Sequence, residues 1–183
     1  MDSYIEITIL PDAEMPVNRL LNVLYIKLHK VLCDLKSDNI GVSFPEYRVL
    51  LGNRLRIHGS HPSLADLQKL NWVGGVSGYS QVSGILTVPQ DCQFRTIRRV
   101  QAAMSQSKLN RLVKRGTITD DETKGYKAKM FSRGLDNPYL ELVSASTGHK
   151  YRRYIAFGEL LDKPVMGTFD QFGISKTAAV PWF

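Results

Sequence analysis

Cysteine is scarce in this 183-residue chain: Cys33 and Cys92 are the only two, far apart and outside any CxxC pair. That leaves little basis for a disulfide framework, a metal site or a redox motif, and both are expected to be reduced thiols in the core. Long apolar runs are missing as well. No segment reaches the roughly 18 apolar residues that a membrane span needs, and no basic start followed by an apolar run opens the chain. Membrane insertion and secretion are therefore not expected, and a cytoplasmic location is. Repeats and low-complexity stretches are also lacking. Acidic residues run short, with 17 Asp and Glu against 24 Lys and Arg, a net charge of +7. Such a balance favours polyanions, either nucleic acid or an acidic membrane surface. The shortage is sharpest over residues 98–115, RRVQAAMSQSKLNRLVKR, where six basic residues meet no acidic one. What remains is ordinary globular material, 43% hydrophobic, enough for one domain or two small ones.

The first half reads as alternating elements. In YIEITIL, residues 4–10, Ile5, Ile7 and Ile9 alternate with Glu6 and Thr8, the period of a half-buried strand. From about residue 16 to 35, Val17, Leu20, Leu21, Leu24, Leu28, Val31, Leu32 and Leu35 fall on one helical arc, with Pro16 suited to the first turn. IGVSF (40–44) and RLRIHGS (54–60) read as strands two and three, the latter after the turn residues Gly52 and Asn53. Ser63 can cap a short helix with Leu64, Leu67 and Leu70 on one face, and SGILTVP (83–89) gives a fourth strand. The order βαββαβ is the ferredoxin-like pattern of an α+β fold, assigned here to residues 1–92. That fold hosts many activities, so function has to come from side chains.

The second half, residues 93–183, changes character. FRTIRRVQA (94–102) reads as a strand on which Arg99 and Gln101 share a face. Arg can pair with guanine and Gln with adenine through two hydrogen bonds each. Ser105 or Ser107 can then cap a helix over about 105–115, ending before Gly116. On its wheel Lys108, Arg111, Lys114 and Arg115 occupy an arc of about 120°, opposite Leu109, Leu112 and Val113. A solvated surface helix and a polyanion-binding one both fit this pattern; the lack of an acidic partner four residues away favours the second. Thr119 and Glu122 stand in capping-box spacing for another helix. YLELVSASTGHKYRRYIAFG (139–158) reads as two strands joined around STGHK, and the chain ends in a strand. Ser144, Ser146 and Thr147 fit a turn that satisfies its own backbone, and Tyr151 fits either a packed strand aromatic or a base-stacking platform.

Taken in order, IGVSFP (40–45), RLRIH (54–58), RVQA (99–102), STG (146–148) and the GISK…VPWF ending resemble the CRISPR-associated endoribonuclease of the type I-F system. The resemblance spans nearly the whole chain. It implies a ferredoxin-like part joined to a C-terminal part whose arginine-rich helix grips the stem of a CRISPR repeat hairpin, mainly through phosphates and shape. It assigns Arg99 and Gln101 to the lowest base pairs, Tyr151 to stacking beneath the stem, and Ser146 and Thr147 to the scissile phosphate. His29 matches the family's catalytic histidine and Ser144 the residue that holds the attacking 2′-hydroxyl. An imidazole with its ordinary pKa of about 6.5 can take that proton near neutral pH. The implied reaction uses no metal and no cofactor, leaves a 2′,3′-cyclic phosphate and a 5′-hydroxyl, and keeps the hairpin product in a surveillance complex with other subunits. One position departs from the pattern. Where the family commonly has an active-site tyrosine this chain has Phe172, so a phenol hydrogen bond is missing and His29 must be oriented by another group.

Three functions remain to be separated: the endoribonuclease, a binding-only subunit with the same clamp and chemistry weakened by Phe172, and a basic ribosomal or messenger-RNA-binding protein of similar fold. The basic helix yields a direct expectation. Replacing Arg111 and Arg115 with Ala should weaken hairpin binding and flatten its salt dependence, by roughly 0.7 to 0.9 log units of slope for each phosphate that is no longer neutralised. An unchanged slope in a salt titration would mean that this helix face meets only water.

Overall fold

The computed structural model describes residues 1–10, 12–101, 104, 106–132, 135–143 and 148–183, with the side chains of 107, 131 and 132 left out. Strand β1 (Ser3–Ile9) buries every second residue, and Ile5, Ile7 and Ile9 point into the core as the alternation requires. It is the centre of the first sheet. β3 (Arg54–Gly59) runs antiparallel to it from Ser3↔Gly59 to Thr8↔Arg54, and β2 (Gly41–Ser43) lies outside β3. With β4 (Ser80–Val82) on the other side of β1, the order β2-β3-β1-β4, with α1 (Val17–Asp34) and α2 (His61–Lys69) in the crossovers, is the ferredoxin-like arrangement. The chain is α+β, as its sequence pattern indicates.

Local chemistry moves several boundaries. Pro16 stands at the N-cap of α1, one residue before the first turn. α2 begins earlier than expected: Ser60, not Ser63, is the cap, and its Oγ accepts the Ser63 N–H. Pro62, which lacks an N–H and has its φ preset, sits in the first turn that this start creates. Leu70 is half exposed beyond the helix end. The expected fourth strand is two short ones, β4 (Ser80–Val82) and β5 (Leu86–Thr87), both paired with β1. Between them the Ser83 hydroxyl accepts from Glu6 N and donates to Gly84 O, so a side chain replaces a rung of the ladder.

The second sheet has the order β7-β8-β6-β9, built from β6 (Gln93–Val100), β7 (Tyr139–Val143), β8 (Lys150–Leu161) and β9 (Ala179–Trp182). Between β6 and β7 lie α3 (Gln106–Lys114) and α4 (Asp120–Ser132). Gly116, at φ +65, ends α3, and Thr119 and Glu122 form the capping box that starts α4. Leu109 is buried but Val113 is half exposed, so the apolar face of α3 is narrower than its wheel suggests. Ser105, the candidate cap, lies outside the described residues, as does the side chain of Ser107.

One core joins the two sheets, running from Ile5, Leu24 and Leu28 through to Ile97, Leu140, Leu142 and Ile155. α1 is the shared element. It buries Leu20, Leu21, Leu24, Tyr25, Leu28 and Leu32, and it also packs on β7, where Asn22 Oδ1 accepts the Glu141 N–H. The turn from Leu28 to Leu32, which carries His29, therefore lies at the seam between sheets. Among the described residues no helix is long and apolar enough to cross a membrane. Cys33 and Cys92 are free, as expected, but both are half-buried rather than in the core.

His58 is buried, 0% exposed, with Nε2 at 2.8 Å from Ser43 Oγ and, among the described residues, no partner for Nδ1. Burial, helped by the Arg56 charge, drives its pKa down from the ordinary value to about 3. The folded state thus refuses a proton that the unfolded chain takes at about pH 6.5, so stability falls as pH drops through the window between about 6.5 and 3. Urea unfolding of the parent at pH 7 and at about pH 4.5 should show a loss greater than in His58→Gln by on the order of 2 kcal/mol. Equal losses would show that His58 is not the sensitive group.

Candidate active site

A cleft of about 670 Å³ opens at the seam. α1 contributes His29 and Cys33, β6 contributes Arg99, and β7 and β8 contribute Val143, Tyr151 and Arg153. Phe172 enters from the loop between β8 and β9. The sequence of that loop, FDQFGIS, explains its shape. Asp170 Oδ1 accepts the N–H groups of Phe172 at 2.9 Å and Ile174 at 3.1 Å, while Gly173 N donates to Asp170 O at 2.8 Å. This is the local side-chain-to-backbone bonding at which aspartate excels. Gly173 has φ +68, and a Cβ there would lie 2.8 Å from Val42 Cγ1, so a side chain would be both strained and crowded. Tyr25, fully buried in α1, donates its phenol to Phe172 O at 2.6 Å. Burial raises the Tyr25 pKa far above its ordinary value, so the phenol keeps the proton it donates.

The loop fixes His29 in turn. His29 Nδ1 lies 2.8 Å from the Gln171 carbonyl oxygen, which can only accept, so Nδ1 carries the ring proton and Nε2 keeps its lone pair. The imidazole stacks on Phe172 with centroids 3.5 Å apart and planes 11° from parallel. Arg153 Cζ lies 3.4 Å from the same ring centroid. Two groups that close cannot share a face, so Phe172 is sandwiched between imidazole and guanidinium. Arg153 is 5% exposed, and its Nη1 faces Asp170 Oδ2 at 3.7 Å. Asp170 thus shapes the loop with one oxygen and holds the buried arginine with the other. Cys33 donates its thiol to Gln171 Oε1 at 3.2 Å, with Sγ 3.6 Å from His29 Nδ1. Burial, then the Asp34 charge, pushes the thiol pKa up, so it remains a protonated neighbour.

Arg99 lies in this cleft and in an adjoining cavity of about 720 Å³, which it shares with Gln101 and Arg153. With its amide oxygen turned toward Arg99, Gln101 accepts from Nη2 at 2.9 Å and from Nη1 at 3.3 Å. The two residues expected on one face therefore form a joined pair. The assembly offers a fixed base, two guanidinium groups and an aromatic wall, a set suited to proton transfer beside an anionic backbone.

The family model described as CRISPR-associated protein (Cas_Csy4) matches residues 4–183. The chain belongs to the Cas_Csy4 family. A curated relative from Escherichia coli (strain UTI89 / UPEC), named CRISPR-associated endonuclease Cas6/Csy4, is 39% identical over 184 residues, covering 100% of both chains. A second of the same name, from Pseudomonas aeruginosa (strain UCBPP-PA14), is 38% identical over 187 residues, again covering 100% of both. Among solved structures, one described as CRISPR endoribonuclease Cse3 bound to 19 nt RNA overlaps 99% of this chain and 100% of its own, at 13% identity and a TM-score of 0.41. That likeness is too slight to bear on fold or function.

For this Cas_Csy4 member, His29, Arg99, Tyr151 and Phe172 share the cleft, and Gln101 joins through Arg99. Lys108, Arg111 and Lys114 lie on α3 and Arg115 just beyond it; all four are exposed and line neither cavity. Ser144, Ser146 and Thr147 lie outside the described residues, and Val143, which precedes them, lines the cleft. Sequence reasoning missed Arg153, Asp170, Gln171 and Cys33. The signal for Arg153 was available: two residues beyond Tyr151 on a strand, it shares that face. Among the described residues no group of three or more His, Cys, Asp or Glu could hold a metal ion.

The double duty of Asp170 is testable by thermal or urea unfolding. Asp170→Ala removes the acceptor of two backbone N–H groups and the Arg153 counter-charge, and should cost about 2 to 4 kcal/mol. Asp170→Asn keeps an oxygen for the loop and should recover part of that stability. If the two variants are equally stable, the loop does not depend on this cap.

Proposed function

We propose that the protein is an endoribonuclease that cuts CRISPR repeat RNA at the base of its hairpin and retains the hairpin product. The observation that carries this reading is the state of His29: Nδ1 is committed to the Gln171 carbonyl and Nε2 has the Cys33 Sγ 3.8 Å away, in a cleft walled by Arg99 and Arg153. The endonuclease names of relatives that match the full chain support the same reading.

In the proposed reaction, His29 Nε2 takes the proton of the ribose 2′-hydroxyl upstream of the cut. That oxygen bonds to phosphorus, the bond to the 5′-oxygen breaks, and the departing oxygen gains a proton from solvent. The products are a 2′,3′-cyclic phosphate and a 5′-hydroxyl, with no electron transfer and no metal in the step. Ser144 holds the 2′-hydroxyl in line, Ser146 and Thr147 donate to the scissile phosphate, and Tyr151 stacks beneath the stem. Arg99 and Gln101 read the closing pairs, while Lys108, Arg111, Lys114 and Arg115 bind stem phosphates. The retained hairpin makes the protein a subunit of the type I-F surveillance complex.

The binding-only reading drew its support from the missing phenol at Phe172. It loses that support here, because the stack on Phe172 and the Gln171 carbonyl orient His29 with no phenol hydrogen bond required. The decisive experiment uses a repeat RNA with one deoxyribose just upstream of the cut, which should bind nearly as well as all-ribose RNA but stay intact. His29→Ala should keep affinity for all-ribose RNA and lose on the order of 10²- to 10⁴-fold in cleavage rate. EDTA should leave the parent's rate unchanged. Normal-rate cleavage of the deoxy substrate would exclude 2′-hydroxyl attack, and an intact all-ribose RNA would make the protein a binder.

A further inference from the structure

We infer that the cavity beside the cleft, between the C-terminal end of β6 and residues 168–177, binds a phosphodiester of the single-stranded RNA flanking the hairpin stem. The inference rests on the proposed function and extends it to RNA outside the stem. Arg99 and Arg153 form the wall common to the two spaces, so whatever chain enters the cleft passes directly beside the second one.

The charges in this cavity do not balance. Arg99, Arg153 and Lys176 face a single carboxylate, Asp170. Asp170 is already engaged, one oxygen by the Phe172 and Ile174 N–H groups and the other by Arg153. Arg153 is only 5% exposed, yet among the described residues its Nε has no partner. A buried cation so incompletely paired is costly, and an anion alongside relieves the cost. Burial lowers the Arg99 pKa, and the neighbouring Arg153 charge lowers it further.

The remaining donors suit a phosphate oxygen. Ser175 Oγ accepts from Thr177 N at 3.3 Å and Ala178 N at 3.0 Å, which leaves its O–H to donate, and Lys176 stands exposed next to it. Hydroxyl, ammonium and guanidinium groups around one space are the usual phosphodiester set. Two strands leave the base of a stem, one 5′ of it and one 3′ of the cut, and both carry this chemistry.

The test is a binding titration with three RNAs, each deoxy at the cut so that none is consumed: a blunt hairpin, one with a 5′ single-stranded extension and one with a 3′ extension. Lys176→Ala should bind the blunt hairpin as the parent does, and lose about 3- to 10-fold in affinity for one extended RNA, with a salt slope shallower by roughly 0.7. Lys176→Arg should restore binding. The extension that responds names the strand. Equal losses on blunt and extended RNA, or no loss on either extension, would overturn this site while leaving the function intact. Failure of the parent to bind even the blunt hairpin would overturn the function and this site with it.

Discussion

The hydrogen bond from His29 Nδ1 to the Gln171 carbonyl ties a helix of the first sheet to a loop of the second, and the chemistry proposed for this protein depends on it. A carbonyl oxygen cannot donate, so the bond chooses the tautomer as well as the ring's direction. Around it the loop is over-determined. Tyr25 holds the next carbonyl, Asp170 holds two N–H groups, Val42 N donates to Gly173 O, and Phe172 presses flat on the imidazole. A base placed this firmly gives up little orientational freedom when the RNA arrives, which is where much of a catalyst's advantage lies.

This placement is a consequence of the fold rather than an addition to it. α1 packs its leucines on the first sheet and its flank on β7, so the residues at the edge of its apolar stripe necessarily emerge where the sheets meet. Gly173 lets the second sheet's loop pack directly against Val42 in β2, and it does so with a backbone geometry that other residues rarely adopt. The same seam brings Arg99 and Arg153 to the cleft from β6 and β8. Their positive charge is the local expression of a chain with 24 basic and 17 acidic side chains.

Much of this was legible in the order of residues, for definite reasons. Period-two alternation in Ile5, Ile7 and Ile9 and the arc of leucines in α1 report burial on one face, which is the quantity that the fold depends on. On the helical wheel His29 falls about 60° past Leu32, at the edge of that arc. What escaped was long-range pairing. Nothing near Phe172 in sequence announces that Arg153 covers its other face, and nothing near Cys33 announces Gln171. Nothing in the sequence around Asp170 announces that its two oxygens serve different partners. The split of the fourth strand escaped for a local reason: Ser83 exchanged a ladder bond for a side-chain one, and serine carries no mark of that choice.

The tautomer of His29 is the point at which the account is most exposed. With histidine labelled with nitrogen-15 and the His29 resonances identified by their disappearance in His29→Ala, the ring nitrogen shifts can be measured at about pH 8, above the ordinary titration of imidazole. The structure requires a protonated Nδ1 and an unprotonated, strongly shifted Nε2, in free protein and before any RNA is bound. A protonated Nε2 with a bare Nδ1, or an equal mixture of the two, would mean that the Gln171 carbonyl does not set the ring, and the base proposed here would not exist in the form described.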